Sequence, residues 1–294
     1  MLKMVSFDIF LQSLVNGLVM GGIYSLIAVG LTLVFGVMRI INIAHGEFIM
    51  VGMYLAYFLN VALAMDPYLA ILVIIPIMFL FGMAFYGLLI KPAIDKGPMN
   101  QVMITIGFSI VLVNLAMFLL SADYRALNLG YFNRSFRVSR VMVGLPQLIA
   151  FLGSLGATAL LYWILVHTRM GRMIRAVAQN RKAATLMGIN VDWVFKLSMG
   201  VVACCAGVAG VLVLPIYYVF PEVGGFFIML CFVVIVLGGM GNFVGALVGG
   251  IIVGLVEAIG SLFLPGSLPL VATYVLLIIF LLVRPEGLFG EGAV

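Results

Sequence analysis

Long apolar runs separated by short polar breaks make up most of the chain. A helix that crosses a bilayer needs about 20 consecutive, mostly apolar residues. Runs of this kind cover residues 10–37, 48–65, 68–90, 102–121, 148–166, 194–216, 226–240, 244–263 and 270–283. The first run is long enough to tilt or to break at Gly21 and Gly22, and the run 226–240 is short enough to be re-entrant. The pattern predicts an all-α polytopic membrane protein with about eight to ten transmembrane helices, some of them broken or re-entrant.

The composition indicates a single membrane domain over residues 1–294. With 65% hydrophobic and 9% charged residues, the chain has too little polar surface for a soluble globule. The net charge of +5 does not indicate a nucleic-acid partner, because Lys and Arg are concentrated in the segment 167–196. Lys3 is the only basic residue before the first apolar run, and the segment has no small-residue cleavage site, so we expect it to be retained rather than removed as a signal peptide.

Cysteine spacing gives no sign of metal or redox chemistry. Cys204, Cys205 and Cys231 all lie inside apolar runs. Their spacing suits neither a zinc site nor a redox pair. We therefore expect three small core residues, and we predict no metal site and no catalytic residue.

The segment 167–196 is the one long soluble stretch. Polar side chains recur in it at helical spacing, at Arg172, Arg175, Gln179 and Lys182. Neighbouring alanines favour a helix, and Gly188 stands where a helix would stop. The segment predicts a short cytoplasmic helix, with Asp192 as the N-cap of the next span. A plain basic loop that obeys the positive-inside rule is the alternative, but the small alanines favour a helix that lies in the groove of a partner.

Charge sets the expected orientation. With 167–196 inside, the segment 91–97, the turn around Arg39 and the tail from Arg284 are inside, while Glu222 and Pro265 are outside. A second basic loop, 121–144, carries Asp123 and four arginines, Arg125, Arg134, Arg137 and Arg140. Only the run 148–166 separates the two loops, so both are cytoplasmic only if that run does not cross. Because the charge excess of 167–196 is larger, we place 121–144 outside.

Polar groups also concentrate in Asn42-Ile43-Ala44-His45-Gly46-Glu47, between two apolar runs. An acid in hydrocarbon costs on the order of 3 kcal/mol. We therefore expect Glu47 at a helix start, where the helix dipole favours an anion, or paired with a base such as Arg39. A metal-hydrolase reading of His45-Gly46-Glu47 fails because no Pro-Cys-x-x-Cys accompanies it. A capping or membrane-boundary role is the main alternative to a functional one.

Glycines recur within the apolar runs. Pairs at four-residue spacing, such as Gly17 with Gly21, let helices approach backbone to backbone. The cluster Gly238, Gly239 and Gly241, followed by Asn242, predicts a broken membrane helix, which survives only when it is buried in protein or lines a wet cavity. Residues 35–54 carry a comparable interruption, so each half of the chain is expected to contribute one broken element.

At the segment 39–50, RIINIAHGEFIM, the sequence resembles the branched-chain amino-acid (Liv-type) ABC transporter permeases, in particular the H-type subunit. The resemblance covers nearly the whole chain. It includes Asn16-Gly17 near the start, the glycine cluster before Asn242, and the tail 284–290. The segment 171–189 resembles the coupling loop by which such permeases dock on an ATPase subunit. Lys182 departs from the pattern, since many relatives carry an acid there, and this puts the pairing with the ATPase in doubt rather than the family.

The resemblance implies one permease subunit of a binding-protein-dependent ABC importer of branched-chain amino acids, in the bacterial cytoplasmic (inner) membrane. The implied partners are a second permease subunit of the M type, two cytoplasmic ATPase subunits, an extracytoplasmic substrate-binding protein and membrane lipid. The chain lacks Gly-x-x-x-x-Gly-Lys-Ser/Thr, so we expect ATP-Mg on the ATPases, no cofactor in this chain, and no enzyme activity of its own. The expected ATPase-coupling residues are Gly171, Arg172, Arg175, Ala176, Ala178, Gln179, Asn180, Ala183, Ala184, Met187, Gly188 and Ile189.

Scattered polar groups inside the apolar runs are the candidates for a translocation path. They are Asn16, Tyr24, Asn42, His45, Glu47, Thr105, Asn114 and Glu257. Asn16 and Thr105 favour a structural role, whereas path lining and an interhelical hydrogen bond are equally good explanations for Glu257. Two rival functions stay open: the same machine with urea or short amides as cargo, and an ATP-independent secondary transporter or channel.

Overall fold

Each apolar run folds as a helix, as its length and composition predict. The computed structural model describes residues 6–138, 141–266 and 268–290, and within them the chain forms eleven α-helices and one β-hairpin. The helices are α1 (Phe7–Met38), α2 (His45–Leu63), α3 (Pro67–Phe85), α4 (Pro98–Leu120), α5 (Leu145–His167), α6 (Arg169–Gln179), α7 (Arg181–Leu186), α8 (Val191–Val213), α9 (Val223–Gly238), α10 (Phe243–Phe263) and α11 (Leu268–Val283). Among the described residues, seven helices are long and apolar enough to span a membrane, and α9 and α11 are shorter apolar helices. The predicted all-α polytopic fold is confirmed.

The long first helix does not break where the sequence suggested. Gly21 and Gly22 lie within the continuous helix α1. A Cβ on Gly21 would lie 2.7 Å from Cα of Ile251, and a Cβ on Gly254 would lie 2.4 Å from the carbonyl oxygen of Gly17. The glycines therefore bring α1 and α10 together backbone to backbone, which stabilises the pair instead of interrupting α1.

The break predicted at the second glycine cluster is confirmed. Helix α9 ends at Gly238. The next two glycines, Gly239 and Gly241, have positive φ values of 103° and 88°. Asn242 then caps α10 by accepting a hydrogen bond from the Gly245 N–H. The tail covers this break. The N–H of Phe289 donates to the Gly238 carbonyl over 3.1 Å, and Asn242 Nδ2 donates to the Phe289 carbonyl over 3.0 Å.

Helix α2 begins in the middle of the helical bundle rather than at the end of the bundle where α1 ends. The imidazole Nε2 of His45 lies 3.1 Å from the carbonyl oxygen of Ile27. Ile27 precedes Met38, the last residue of α1, by eleven residues, or about 16 Å of helix. Residues 39–44 therefore turn back along α1 before α2 starts.

Helix α9 meets α2 at that depth. A Cβ on Gly46, in the first turn of α2, would lie 2.1 Å from the carbonyl oxygen of Gly224, in the first turn of α9. With 16 residues, α9 is about 24 Å long, less than the ~30 Å of a hydrocarbon core. The first turn of α2 thus touches the first turn of α9, whereas the glycine break at 238–242 lies at the opposite end of α9.

The loops gather at two opposite ends of the bundle. At one end, Lys91 pairs with Asp192 over 2.8 Å and Arg181 pairs with Asp95 over 3.5 Å. At the other end, the strands β1 (Ser135–Val138) and β2 (Val141–Gly144) form an antiparallel hairpin. Helix α5 joins the two ends, so the basic loops 121–144 and 167–196 lie on opposite sides, as the sequence predicted. Arg140 lies outside the described residues.

The hairpin itself was not anticipated from the sequence. Its strand β2 is held by α1 through Gln12, whose side-chain amide donates to the Met142 carbonyl over 2.6 Å and accepts from the Met142 N–H over 2.7 Å. The same amide nitrogen donates to Asn16 Oδ1 over 3.0 Å. Asn16 therefore positions Gln12, which ties the hairpin to the start of the bundle.

Candidate functional site

The buried polar site forms where residues 39–44 meet the first turn of α2. Asn42, His45 and Glu47 are all buried there. Glu47 lies in the first turn of α2, as predicted, and its Oε1 accepts a hydrogen bond from Ser109 Oγ on α4 over 3.0 Å. The alternative, a pair with Arg39, is not formed, because Arg39 is exposed at the end of α1 and α2 starts far back along that helix.

Two helix N-termini surround the Glu47 carboxylate. It lies in the first turn of α2, and a Cβ on Gly224 of α9 would lie 2.2 Å from Glu47 Oε2. Helix N-termini carry partial positive charge and favour an anion. The meeting of α2 and α9 therefore offsets part of the cost of placing a carboxylate in the interior.

Thr105 connects α4 to the same site. Its hydroxyl accepts from the Ile43 N–H over 3.3 Å and donates to the Val102 carbonyl over 2.9 Å. Asn42 is fully buried, and neither its amide nitrogen nor its amide oxygen has a hydrogen-bond partner. Four predicted path residues, Asn42, His45, Glu47 and Thr105, are thus brought together.

Two further predicted path residues form a separate cluster. The Tyr24 hydroxyl donates to Glu257 Oε2 over 2.7 Å and lies 3.5 Å from the hydroxyl of Tyr217. Tyr24 belongs to α1, Glu257 to α10 and Tyr217 to the segment between α8 and α9. Glu257 therefore accepts an interhelical hydrogen bond that joins α10 to α1.

Asn16 and Asn114 stand apart from both clusters. Asn16 holds Gln12, and Asn114 is exposed on α4, where its amide nitrogen donates to the Ile110 carbonyl over 2.8 Å. Both bonds stay within one helix. The structure thus divides the predicted path set into a site at α2, a site at Glu257 and two separate residues.

Ser109 and Tyr217 are the residues that the sequence reasoning missed. Ser109 stands four residues after Thr105, so the two share one face of α4. That spacing was a usable signal for Ser109. Tyr217 had no local signal, because its place beside Tyr24 depends on how the segment after α8 folds.

The predicted docking segment 167–196 folds as two helices rather than one. Helix α6 ends at Gln179 because Asn180 adopts an extended conformation, and Asn180 Oδ1 then caps α7 by accepting from the Ala183 N–H over 3.0 Å. Gly188 follows α7 with φ of +80°. It ends the helical stretch as predicted. Asn190, rather than Asp192, caps α8, because Asp192 instead accepts from Lys91 Nζ and from the Tyr86 hydroxyl.

Helix α6 is amphipathic and packs along the bundle. Gly171, Ile174 and Val177 are buried, whereas Arg172, Arg175 and Gln179 are exposed. A Cβ on Gly171 would lie 2.2 Å from the Leu165 carbonyl oxygen, so only glycine fits the corner between α5 and α6.

Two of the exposed arginines on α6 also have a local partner. Arg172 donates to the His167 carbonyl over 3.3 Å, and Arg175 donates to the Val166 carbonyl over 3.4 Å. Cations at the end of a helix satisfy its last carbonyls. These two side chains therefore cap the C-terminus of α5 and also present positive charge at the surface.

The end of α7 projects away from the bundle. Leu186 is 88% exposed and Met187 is 82% exposed, whereas Ala184 is buried and Ile189 is partly buried. Ala183 is exposed. Of the predicted alanine pair, one member therefore faces outward and the other packs inward. Ala176 and Ala178 on α6 are partly buried.

Comparison with known proteins gives consistent matches over nearly the whole length. The family model described as "Branched-chain amino acid transport system / permease component" matches residues 13–283. The high-affinity branched-chain amino acid transport system permease protein LivH of Escherichia coli (strain K12) is 34% identical over 300 residues, 96% of each chain. The corresponding protein BraD of Pseudomonas aeruginosa is 32% identical over 301 residues, also 96% of each chain. No solved structure matches.

Proposed function

The chain belongs to the family of branched-chain amino acid transport system permease components, and on that premise we propose that it is a membrane subunit of an ABC importer for leucine, isoleucine and valine. Full-length relatives named as permeases for these solutes support the cargo over urea or short amides. Seven helices in the described part of the chain are long and apolar enough to span a membrane, so this is a multi-pass membrane protein. We place it in the bacterial cytoplasmic (inner) membrane, in contact with lipid.

The single observation that carries the coupling role is the form of 167–196. A docked helix must be held by the bundle on one side and offer a surface to a partner on the other. Helix α6 buries one face, ion pairs from Arg181 and Asp192 reach the segment before α4, and Leu186 and Met187 project. We assign this segment the docking contact with a cytoplasmic ATPase.

The remaining parts of the machine are proposed as separate chains. They are a second permease subunit of the M type, two ATPases that hold ATP-Mg, and an extracytoplasmic substrate-binding protein. ATP binding would close the ATPases, move α6 and α7, and shift the membrane path between outward and inward access. This chain then contributes neither a nucleotide site nor catalysis.

Uptake by cells that express the complete system tests the function. We expect labelled leucine uptake to be inhibited by unlabelled isoleucine and valine and unaffected by urea. We also expect uptake to stop when ATP is depleted while the membrane potential is kept. Competition by urea alone would point to the amide cargo, and undiminished uptake without ATP would point to a secondary transporter.

A further inference from the structure

Helix α9 begins within the height of the bundle, directly after Glu222. Its other end lies at the end of the bundle that carries the docking segment, because Gly241 and Arg175 of α6 line one cavity there. We call this the docking end. Helix α9 has 16 residues, or about 24 Å, whereas a hydrocarbon core is ~30 Å thick. Glu222 therefore lies short of the opposite face of the membrane, and a tilt of α9 would place it deeper still.

A second measure of depth agrees with the first. Gly224, two residues after Glu222, contacts the start of α2, where a Cβ on Gly46 would lie 2.1 Å from the Gly224 carbonyl oxygen. The neighbouring His45 lies at the height of Ile27, about 16 Å along α1 from its last residue at the docking end. Both lengths place Glu222 within the span of the membrane rather than in a loop beyond it.

One face of α9 is open although most of the helix is packed. Glu222, Gly225 and Met229 are exposed at spacings of three and four residues, so they share one face. Apart from its own helix, no part of the described chain lies within 4 Å of a Cβ on Gly225, and Met229 is 57% exposed. Val223 and Gly224, which lie between them, are buried. We call Glu222, Gly225 and Met229 the α9 open face.

The Glu222 carboxylate has no partner within the described chain. It makes no capping hydrogen bond to α9, and it takes part in none of the side-chain hydrogen bonds or ion pairs of the described residues. An ionised acid at this depth is costly in hydrocarbon, and such residues face the interior of a bundle or a water-filled cavity. Lipid therefore does not explain the α9 open face.

An aqueous path explains the α9 open face better than packing against another helix does. Glycines that pack in this bundle contact backbone atoms, as Gly21 contacts Ile251. Gly225 instead leaves space beside an acid. The proposed cargo carries an ammonium group and an aliphatic side chain, which match the Glu222 carboxylate and the apolar Met229.

We propose that the α9 open face lines an aqueous path that opens away from the docking end, and that Glu222 accepts hydrogen bonds there from the ammonium group of an α-amino acid. Gly225 leaves room for the main-chain atoms of the solute, and Met229 offers an apolar surface to its side chain. This assignment rests on the proposed function. It agrees with the expectation that Glu222 faces outside, since an open path continues the outer solution to this depth.

Thiol accessibility gives the first test. In a chain whose three native cysteines are changed to alanine, Gly225→Cys places a thiol on the α9 open face, and the complete complex in lipid nanodiscs is treated with a charged methanethiosulfonate. The reagent attacks the thiolate, which forms in water and not in lipid, so this thiol should react about tenfold faster than that of Leu80→Cys.

Leu80 is the matched control, because it is 65% exposed within the apolar span Pro67–Ala93. Equal reaction rates for Gly225→Cys and Leu80→Cys would overturn the proposal and show that lipid or the second subunit covers the α9 open face.

Charge preference gives the second test. With a carboxylate beside the thiol, Gly225→Cys should react about fivefold faster with a cationic methanethiosulfonate than with an anionic one, after correction for their rates with a free thiol. Adding Glu222→Gln should abolish this preference. Glu286→Gln, at an exposed acid in the tail, should leave it unchanged. A preference that survives Glu222→Gln would overturn the role of this carboxylate in the path.

Transport gives the third test. Glu222→Gln keeps the shape of the side chain but removes its charge, so leucine import by the complex in liposomes with its binding protein should fall about tenfold. Glu222→Asp keeps the charge and should retain most of the import. ATPase copurification should be unchanged in both variants, because the docking segment is untouched. Full import by Glu222→Gln, or loss of the ATPases from it, would overturn the assigned role.

The failure of this assignment and the failure of the proposed function are distinguishable. If the unchanged complex imports none of the three amino acids with ATP, the proposed function is wrong. If the unchanged complex imports them, but Gly225→Cys reacts like Leu80→Cys and Glu222→Gln transports leucine in full, only the α9 open face is misassigned.

Discussion

At the scale of single residues, the packing of the interior depends on glycines at positions where no side chain larger than a hydrogen atom fits. Gly46 and Gly224 place the first turns of α2 and α9 in contact, and this contact brings two helix N-termini to Glu47. The sequence indicated that Glu47 stands at a helix start, because an acid in an apolar run needs such a place. It did not indicate Ser109 as the partner, since the depth at which α2 begins depends on how residues 39–44 fold back.

Gly46→Ala tests this contact. The added methyl group would lie 2.1 Å from the Gly224 carbonyl oxygen, so we expect a loss of stability of about 3 kcal/mol or more, above the usual cost of overpacking. Cys205 and Cys231 are buried free thiols, so a thiol-reactive dye reports unfolding of the purified protein. Gly156→Ala, where nothing lies within 4 Å of the added group, should melt like the unchanged chain. Equal melting of the two variants would contradict the close contact.

At the scale of elements, apolar runs predicted the helices well because a span is defined by length and hydrophobicity alone. The prediction was weakest where polar residues set the boundaries. Asn180 divides the docking segment into α6 and α7, and Asn190 caps α8 in place of Asp192. Several Asn and Asp residues in the segment have the right chemistry for a cap, and only the ion pair with Lys91 shows why Asp192 is used elsewhere.

The exposed end of α7 gives an element-scale prediction. Because Leu186 and Met187 are almost fully exposed, the double change Leu186→Glu with Met187→Glu should leave the melting temperature within a few degrees while reducing ATPase copurification about tenfold or more. The conservative change Met187→Leu should retain copurification. If the double variant still brings down the ATPases in full amount, the docking surface lies elsewhere.

Gly188 gives a second prediction in the same segment. Its φ of +80° costs a side-chain-bearing residue about 1–2 kcal/mol, and a β-branched residue more. Gly188→Val should therefore lower ATPase copurification with the membrane domain still inserted, whereas Gly188→Asn should be milder, because Asn tolerates positive φ. Equal behaviour of the two variants would show that the backbone at Gly188 does not position the docking surface.

Ala184 gives a third prediction, because the alanine pair is not uniform. Ala184 is buried within the segment, while Ala183 is exposed. A charge at Ala184 would lack solvent and partners, so Ala184→Glu should lower the melting temperature of the purified chain. Ala183→Glu should leave it nearly unchanged. A melting temperature unaffected by Ala184→Glu would show that α7 does not pack as described.

At the scale of the whole molecule, the chain separates two basic loops by one crossing helix, α5. The sequence could rank the two loops by charge, but only the fold shows that α5 reaches from the hairpin at β2 to the corner at Gly171. The glycine spacing indicated close helix approach, but only the fold shows that α1 pairs with α10. Of the two alternatives for the long first run, a tilt or a break at Gly21 and Gly22, the break does not occur, because those glycines are used for packing.

The proposed function requires the docking segment to face the cytoplasm, where an ATPase can reach it. Met187→Cys introduces a thiol at the exposed end of α7, while the native cysteines lie inside α8 and α9. A membrane-impermeant maleimide should label this variant in inverted membrane vesicles stripped of ATPases but not in intact cells. Adding the ATPases back to the vesicles should block the labelling. Labelling of Met187→Cys in intact cells would contradict the central claim.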